Sequence, residues 1–288
     1  MTRTPDLLTW RTKAGAWTLD FNRPLLMSII NLTPDSFSDG GRFKSPDEAV
    51  EAALAEEADG ADLFDLGAES TRPGSLPVCE DEEWSRLEPV LTALVKKTNL
   101  PISIDTYKAG VAEKALAAGA AVINDIYAGR KDPRLLDVAA EWQAPLILMH
   151  MQGEPATMQA DPRYDDLVGE IHDFLLERAL AALAAGVPRE LIWLDPGIGF
   201  GKTVAHNLSL IKHFDLVLPR GYRRVMGLSR KGFFRSIPGV TGPPAARDGL
   251  TAAADALAVL KGADILRVHR AAPNRPAVDL ALAVRSAA

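Results

Sequence analysis

The chain has 288 residues, 47% of them apolar and 24% charged, with a net charge of −6 and one cysteine, Cys79. That length suits an α/β barrel of about 250 residues, and the acidic balance gives no footprint for nucleic acid while leaving room for a local cationic site. One cysteine excludes an intrachain disulfide or a cysteine metal cluster, and neither MTRTPDLLTW nor any apolar run reads as a secretory signal or a membrane span of ~18 residues, so a cytoplasmic location is expected.

Two apolar stretches, 8–12 and 16–21, flank Lys13, Ala14 and Gly15 and predict a β-hairpin, placed as a plug across the N-terminal face of the main fold. Short apolar runs then predict strands at 25–30, 61–66, 101–104, 121–123, 144–148, 191–194, 223–227 and 264–268. Amphipathic stretches between and after them predict helices at 46–58, 82–97, 108–118, 133–141, 165–184, 204–213, 244–260 and 277–284. Ser45 before Pro46, and Thr203, offer helix N-caps, while Gly119 and Gly186 stand where helices stop. Eight strand–helix units without a linker predict a closed (β/α)8 barrel, a TIM barrel, as one domain over 1–288 with the hairpin as an extension over 1–24. A doubly wound open sheet is the rival architecture.

In such a barrel, chemistry gathers at the C-terminal ends of the strands. The first strand ends at Asn31, the second leads to Thr71 and Arg72, the third ends at Asp105 and the fourth at Asn124. The fifth ends at Met149 and His150, the sixth at Asp195, the seventh leads to Ser229, Arg230 and Lys231, and the eighth carries Arg267 and His269. Any one Asp, Asn, Ser or Thr here is as readily a helix cap or turn residue. Eight polar ends converging on one mouth point to a site.

Three stretches carry more than position. Residues 31–41 (NLTPDSFSDGG) form a long polar loop holding one aromatic, Phe37, and suit an active-site cover. Residues 195–203 (DPGIGFGKT) end like a phosphate-binding loop, but Pro196 stands where its first glycine belongs and Lys202 where a dinucleotide fingerprint needs glycine. The glycines there are expected to admit a flat ligand close to the backbone. Arg267 and His269, two apart on the last strand, share a face and with Lys231 make a cationic corner where this fold commonly holds phosphate.

Together these segments resemble dihydropteroate synthases over almost the whole chain. The resemblance is carried by 31–41 (NLTPDSFSDGG), 69–74 (ESTRPG), 103–106 (SIDT), 123–125 (IND), 149–153 (MHMQG), 195–200 (DPGIGF), 229–231 (SRK) and 267–269 (RVH). Two departures stand out: Ala68 replaces a usual glycine before Glu69, and Arg270 replaces a usual aspartate after His269, where its charge is expected to reach the pyrophosphate pocket.

The resemblance implies a transferase of folate biosynthesis that joins a dihydropterin pyrophosphate to p-aminobenzoate. It implies Asp105, Asn124, Asp195 and Lys231 as pterin ligands, with Met149 and Phe200 against the ring and Asp105 and Lys231 in the catalytic roles. Thr71, Arg267 and His269 would bind pyrophosphate, and Phe37, Thr71, Arg72, Pro73 and Ser229 the p-aminobenzoate. Asn31 would hold Mg²⁺, and the resemblance implies a homodimer of a family that sulfonamides target. The alternatives are a methyltetrahydrofolate-binding methyltransferase domain, a non-catalytic pterin-binding paralogue and an unrelated sugar-phosphate barrel. The methyltransferase has no need of the Arg267–His269 corner.

Overall fold

A computed structural model describes residues 6–33, 43, 45–70 and 75–287. The first half runs β1 (Leu7–Arg11), β2 (Ala16–Asp20), β3 (Leu25–Asn31), α1 (Pro46–Ala58), β4 (Leu63–Gly67), α2 (Glu80–Leu94), β5 (Ile102–Asp105), α3 (Ala109–Ala117), β6 (Val122–Asp125), α4 (Arg134–Trp142) and β7 (Leu146–Met149). The second runs α5 (Leu167–Ala184), β8 (Ile192–Asp195), α6 (Val204–Lys212), α7 (Phe214–Val217), β9 (Arg223–Met226), α8 (Asp248–Leu260), β10 (Ile265–Val268) and α9 (Ala271–Ser286).

Strands β3 to β10 form a closed parallel barrel, sealed where Ile265 pairs with Leu25, so the open-sheet alternative falls. Each strand is covered by helices outside and side chains inside, which is why the strand sequences read as unbroken apolar runs rather than alternating ones. Residues 25–30 are buried without exception, and Phe64, Met27 and Trp193 are fully buried in the core.

The hairpin β1–β2 sits where the sequence places it. Trp10 donates from its indole to the Ala121 carbonyl at 3.2 Å, just before β6, and meets Trp193 near the start of β8 edge-on at 6.4 Å. Phe21 packs on the same Trp193 and under the Arg223 guanidinium, 3.7 Å from its ring centre, at the start of β9. All three partners lie at strand beginnings, so the hairpin closes the N-terminal mouth and leaves the other mouth open.

Local signals set most helix ends. The Ser45 hydroxyl accepts from Glu48 N at 3.3 Å, and Thr203 caps α6 in a reciprocal box with His206. Gly119 and Gly186 turn with φ of +109° and +100° after α3 and α5. The last helix is the main correction: expected at 277–284, it spans Ala271–Ser286 with Pro276 inside. Its start is fastened from outside by Glu56, which accepts the Ala271 N–H at 2.6 Å, and from within by Asn274, which donates to the Arg270 carbonyl at 2.7 Å. Likewise 244–260 splits into a 3-10 turn, Pro244–Arg247, and α8.

Candidate active site

The open C-terminal mouth holds a cleft that is partly open to solvent. Ile29, Ile126, Met149, Ile198 and Phe200 give it apolar walls, and Asp105, Asn124, Asp195, Ser229, Lys231 and Arg267 project polar atoms into it. All four residues expected to hold the pterin therefore converge, as do both expected ring contacts.

The polar groups are wired together. Arg267 donates from Nε to Asp65 Oδ2 at 2.6 Å and from Nη2 to Asp105 Oδ2 at 2.7 Å. The same Asp65 oxygen accepts Asn124 Nδ2 at 3.1 Å. With its amino group committed, Asn124 turns its Oδ1 away as an acceptor. Asp195 accepts the Gly197 N–H at 2.6 Å on Oδ1. Gly67 sits in the sheet between Asn31 and Asp105, where a Cβ would make ordinary contact with Asp105 Cβ at 3.4 Å and the Asn31 amide oxygen at 3.8 Å.

Burial sets the protonation of these groups. It pushes the Asp105 carboxyl up to about 7 against the pull of Arg267, with Asp65 adding to the rise. Asp195 is raised by burial, against the Gly197 hydrogen bond and Lys231. Lys231 is pulled down to about 8 by burial, opposed by Asp195 and Asp105 and reinforced by Arg267. Its ammonium lies 4.4 Å from the Phe200 ring centre.

Asp65 is the residue that sequence reading missed. It is fully buried inside the run 61–66 and holds both Arg267 and Asn124. A charged residue inside an otherwise apolar strand was the available signal.

Two sequence readings change. The glycines of 195–203 admit protein rather than ligand: a Cβ at 197 would collide with the His150 carbonyl, one at 201 with the Gln152 carbonyl, and one at 199 would press on Lys231. Lys202 is no phosphate lysine, in keeping with the broken loop pattern, since it is buried and bonded to His150 Nδ1 at 2.9 Å and the Phe200 carbonyl at 3.0 Å. The cationic corner is largely neutralised, because Arg267 already faces two carboxylates. His269 lies beside it, with its N–H donating to Ser229 Oγ at 3.0 Å and Nδ1 2.9 Å from the same oxygen. The Ser229 hydroxyl can either accept from or donate to that ring nitrogen, so the contact orients the imidazole with either tautomer. Asn31 closes β3 at the rim. Phe37, Thr71, Arg72 and Pro73 lie outside the described residues.

Residues 27–269 match the model of the pterin binding enzymes. A dihydropteroate synthase of Streptococcus pyogenes serotype M6 is 42% identical over 92% of this chain and 97% of its own. The chain belongs to the dihydropteroate synthase family. Among solved members of that family, the Yersinia pestis synthase with a sulfonamide drug superposes with a TM-score of 0.89 at 40% identity, covering 97% of this chain and all of its own. The Xanthomonas albilineans synthase with 4-aminobenzoic acid gives 0.88 at 41% over 98% of this chain and 100% of its own.

Against the usual pattern of the dihydropteroate synthase family, Arg270 proves structural. Its guanidinium pairs with Glu56 on α1 at 2.9 Å and with Asp59 just past the end of α1 at 3.5 Å, so its charge is spent on the helical layer rather than in the pocket. Ala68 is buried, and its carbonyl accepts Arg86 at 2.8 Å.

Proposed function

We propose that the chain is a dihydropteroate synthase, condensing (7,8-dihydropterin-6-yl)methyl diphosphate with p-aminobenzoate to give 7,8-dihydropteroate and diphosphate. The convergence of Asp105, Asn124, Asp195 and Lys231 between Met149 and Phe200 carries this reading. A pterin edge offers amino and ring N–H donors beside carbonyl and ring-nitrogen acceptors. The carboxylates and the Asn124 oxygen match the first set and Lys231 the second, while the apolar walls suit the flat faces.

In the reaction, the carbon–oxygen bond to diphosphate breaks with its electron pair leaving on oxygen. The aryl amine forms the new carbon–nitrogen bond and then gives up a proton. Positive charge gathers at the pterin methylene, where the Asp105 carboxylate opposes it, held in place by Arg267. The His269 imidazole and Arg267 are the groups that would meet the leaving diphosphate, with Thr71 joining them. Ser229 lines the cleft beside Lys231, where the aromatic ring would lie with Phe37, Arg72 and Pro73.

Mg²⁺ fits this mouth through few protein contacts. Asn31 places one hard oxygen beside Asp105, and among the described residues no three His, Cys, Asp or Glu side chains are grouped to hold a metal. Magnesium commonly completes its shell with water and phosphate oxygens, and when bound it neutralises charge on the diphosphate. The sulfonamide complex of the Yersinia pestis relative supports the same p-aminobenzoate subsite here. Exposed Leu257 and Leu260 on α8 with Leu280 and Val284 on α9 support a homodimer. Among the described residues no helix is long and apolar enough to cross a membrane, which fits a cytoplasmic enzyme.

Diphosphate release from the dihydropterin substrate, with and without p-aminobenzoate and with Mg²⁺ or a chelator, tests the reading. Release that requires both p-aminobenzoate and Mg²⁺ is expected. Pterin binding without turnover would mark the non-catalytic alternative instead.

A further inference from the structure

We propose that Arg230 is a positioning residue, whose grip on the start of α8 turns Ser229 and Lys231 into the cleft together. It rests on the reading of Lys231 as a pterin ligand. Lys231 N donates to the Leu228 carbonyl at 3.3 Å, closing a tight turn with Ser229 and Arg230 at its centre. Arg230 has φ of +56° and Ser229 does not share a positive φ. That pattern is a type II turn, whose third position is the habitual place of glycine. An arginine there is held against its backbone preference.

The holding groups all come from the first turns of α8 and the turn before it. Asp248 takes the guanidinium in two parallel bonds, from Nε at 2.6 Å and Nη2 at 2.7 Å. Thr251 Oγ1 accepts the Arg230 N–H at 3.1 Å. The buried Arg247 donates from Nη1 to the Arg230 carbonyl at 2.8 Å and reaches the Lys231 carbonyl at 3.5 Å. Arg230 therefore points away from the cleft while its two neighbours line it. A planar, bidentate fork fixes direction as well as distance, which a lysine cannot do.

Glycine at 230 suits the backbone and removes only the fork, so it separates the two contributions. Arg230→Gly and Asp248→Asn are expected to fold, with melting temperatures near wild type, and to lose about 10- to 100-fold in kcat/KM for the dihydropterin substrate through misplaced Lys231. Arg230→Lys is expected to fall between them and wild type. Pterin binding by calorimetry counts competent sites and gives Kd for each variant beside Lys231→Ala. Wild-type kinetics in Arg230→Gly would overturn the proposal. So would a lowered melting temperature in Asp248→Asn with unchanged turnover per competent site, since the pair would then serve the fold alone. If Lys231→Ala binds pterin as tightly as wild type, the reading of Lys231 fails instead, which keeps the two failures distinct.

Discussion

Arg267 and Asp105 lie 162 residues apart in the chain and 2.7 Å apart at the barrel mouth. The guanidinium also binds Asp65, so one cation holds two carboxylates side by side in the cleft. Such a site stores opposed charges in fixed positions, which is what preorganised stabilisation of a charge-separating step requires.

Replacing Asp105 by asparagine keeps the shape and removes the charge facing the pterin methylene. A loss of 10²- to 10³-fold in kcat, on the order of 3 kcal/mol, is expected. Steady-state kinetics beside a melting curve checks it. A near-wild-type kcat would remove Asp105 from the chemistry.

Pterin affinity should depend on pH with two limbs. Below about 7 Asp105 gains a proton and stops accepting, and above about 8 Lys231 loses one and stops acting as a cation. Titrations of a pterin whose own ionisation lies outside that window should show weakening on both sides. Asp105→Asn should remove its share of the acid limb, leave what Asp195 contributes, and leave the alkaline limb unchanged. A flat profile in wild type would show that neither group titrates on binding.

Lys231→Ala should lose pterin affinity without losing stability. A lysine whose folded value is lowered favours the fold above its unfolded range, and that contribution disappears as pH falls through about 8. At pH 7 the buried ammonium is thus a burden on the ligand-free fold, and the variant's melting temperature should equal or exceed wild type. A large drop in melting temperature with binding intact would make the residue structural.

Asp255 offers a stability test away from the site. It is fully buried in α8, and among the described residues neither carboxylate oxygen has a hydrogen-bond partner. Burial alone raises its pKa well above the usual range. Its protonated form is therefore compatible with the fold, and that compatibility is lost as pH rises through the raised folded value. Asp255→Asn should match wild type at low pH and melt higher at pH 8, by roughly 2–4 °C for each kcal/mol relieved. Equal melting temperatures at both pH values would mean the carboxylate is solvated.

Trp10 tests the hairpin. Trp10→Ala removes the indole from the N-terminal mouth and should cost about 3–5 kcal/mol. Because the cleft is at the opposite mouth, kcat per folded molecule should hold. A selective loss of kcat would tie the plug to the site.

The sequence by itself determined the eight strand–helix units, the hairpin with its place at the N-terminal mouth, and the polar residues at the strand ends. Those are local matters: apolar runs, the Ser45 and Thr203 caps and the stops at Gly119 and Gly186 act within a few residues of chain. Asp105, Asn124, Asp195 and Lys231 were legible for the same reason, since barrel geometry sends strand ends to one mouth. Only the tertiary structure decided which charges meet. Asp65 looked like one odd letter in an apolar strand until closure set it against Arg267 and Asn124. Arg270, expected at the pocket, went to Glu56 and Asp59, and Lys202 went to His150. A buried charge takes the partner that packing brings within about 3 Å, and sequence separation carries no information about that distance.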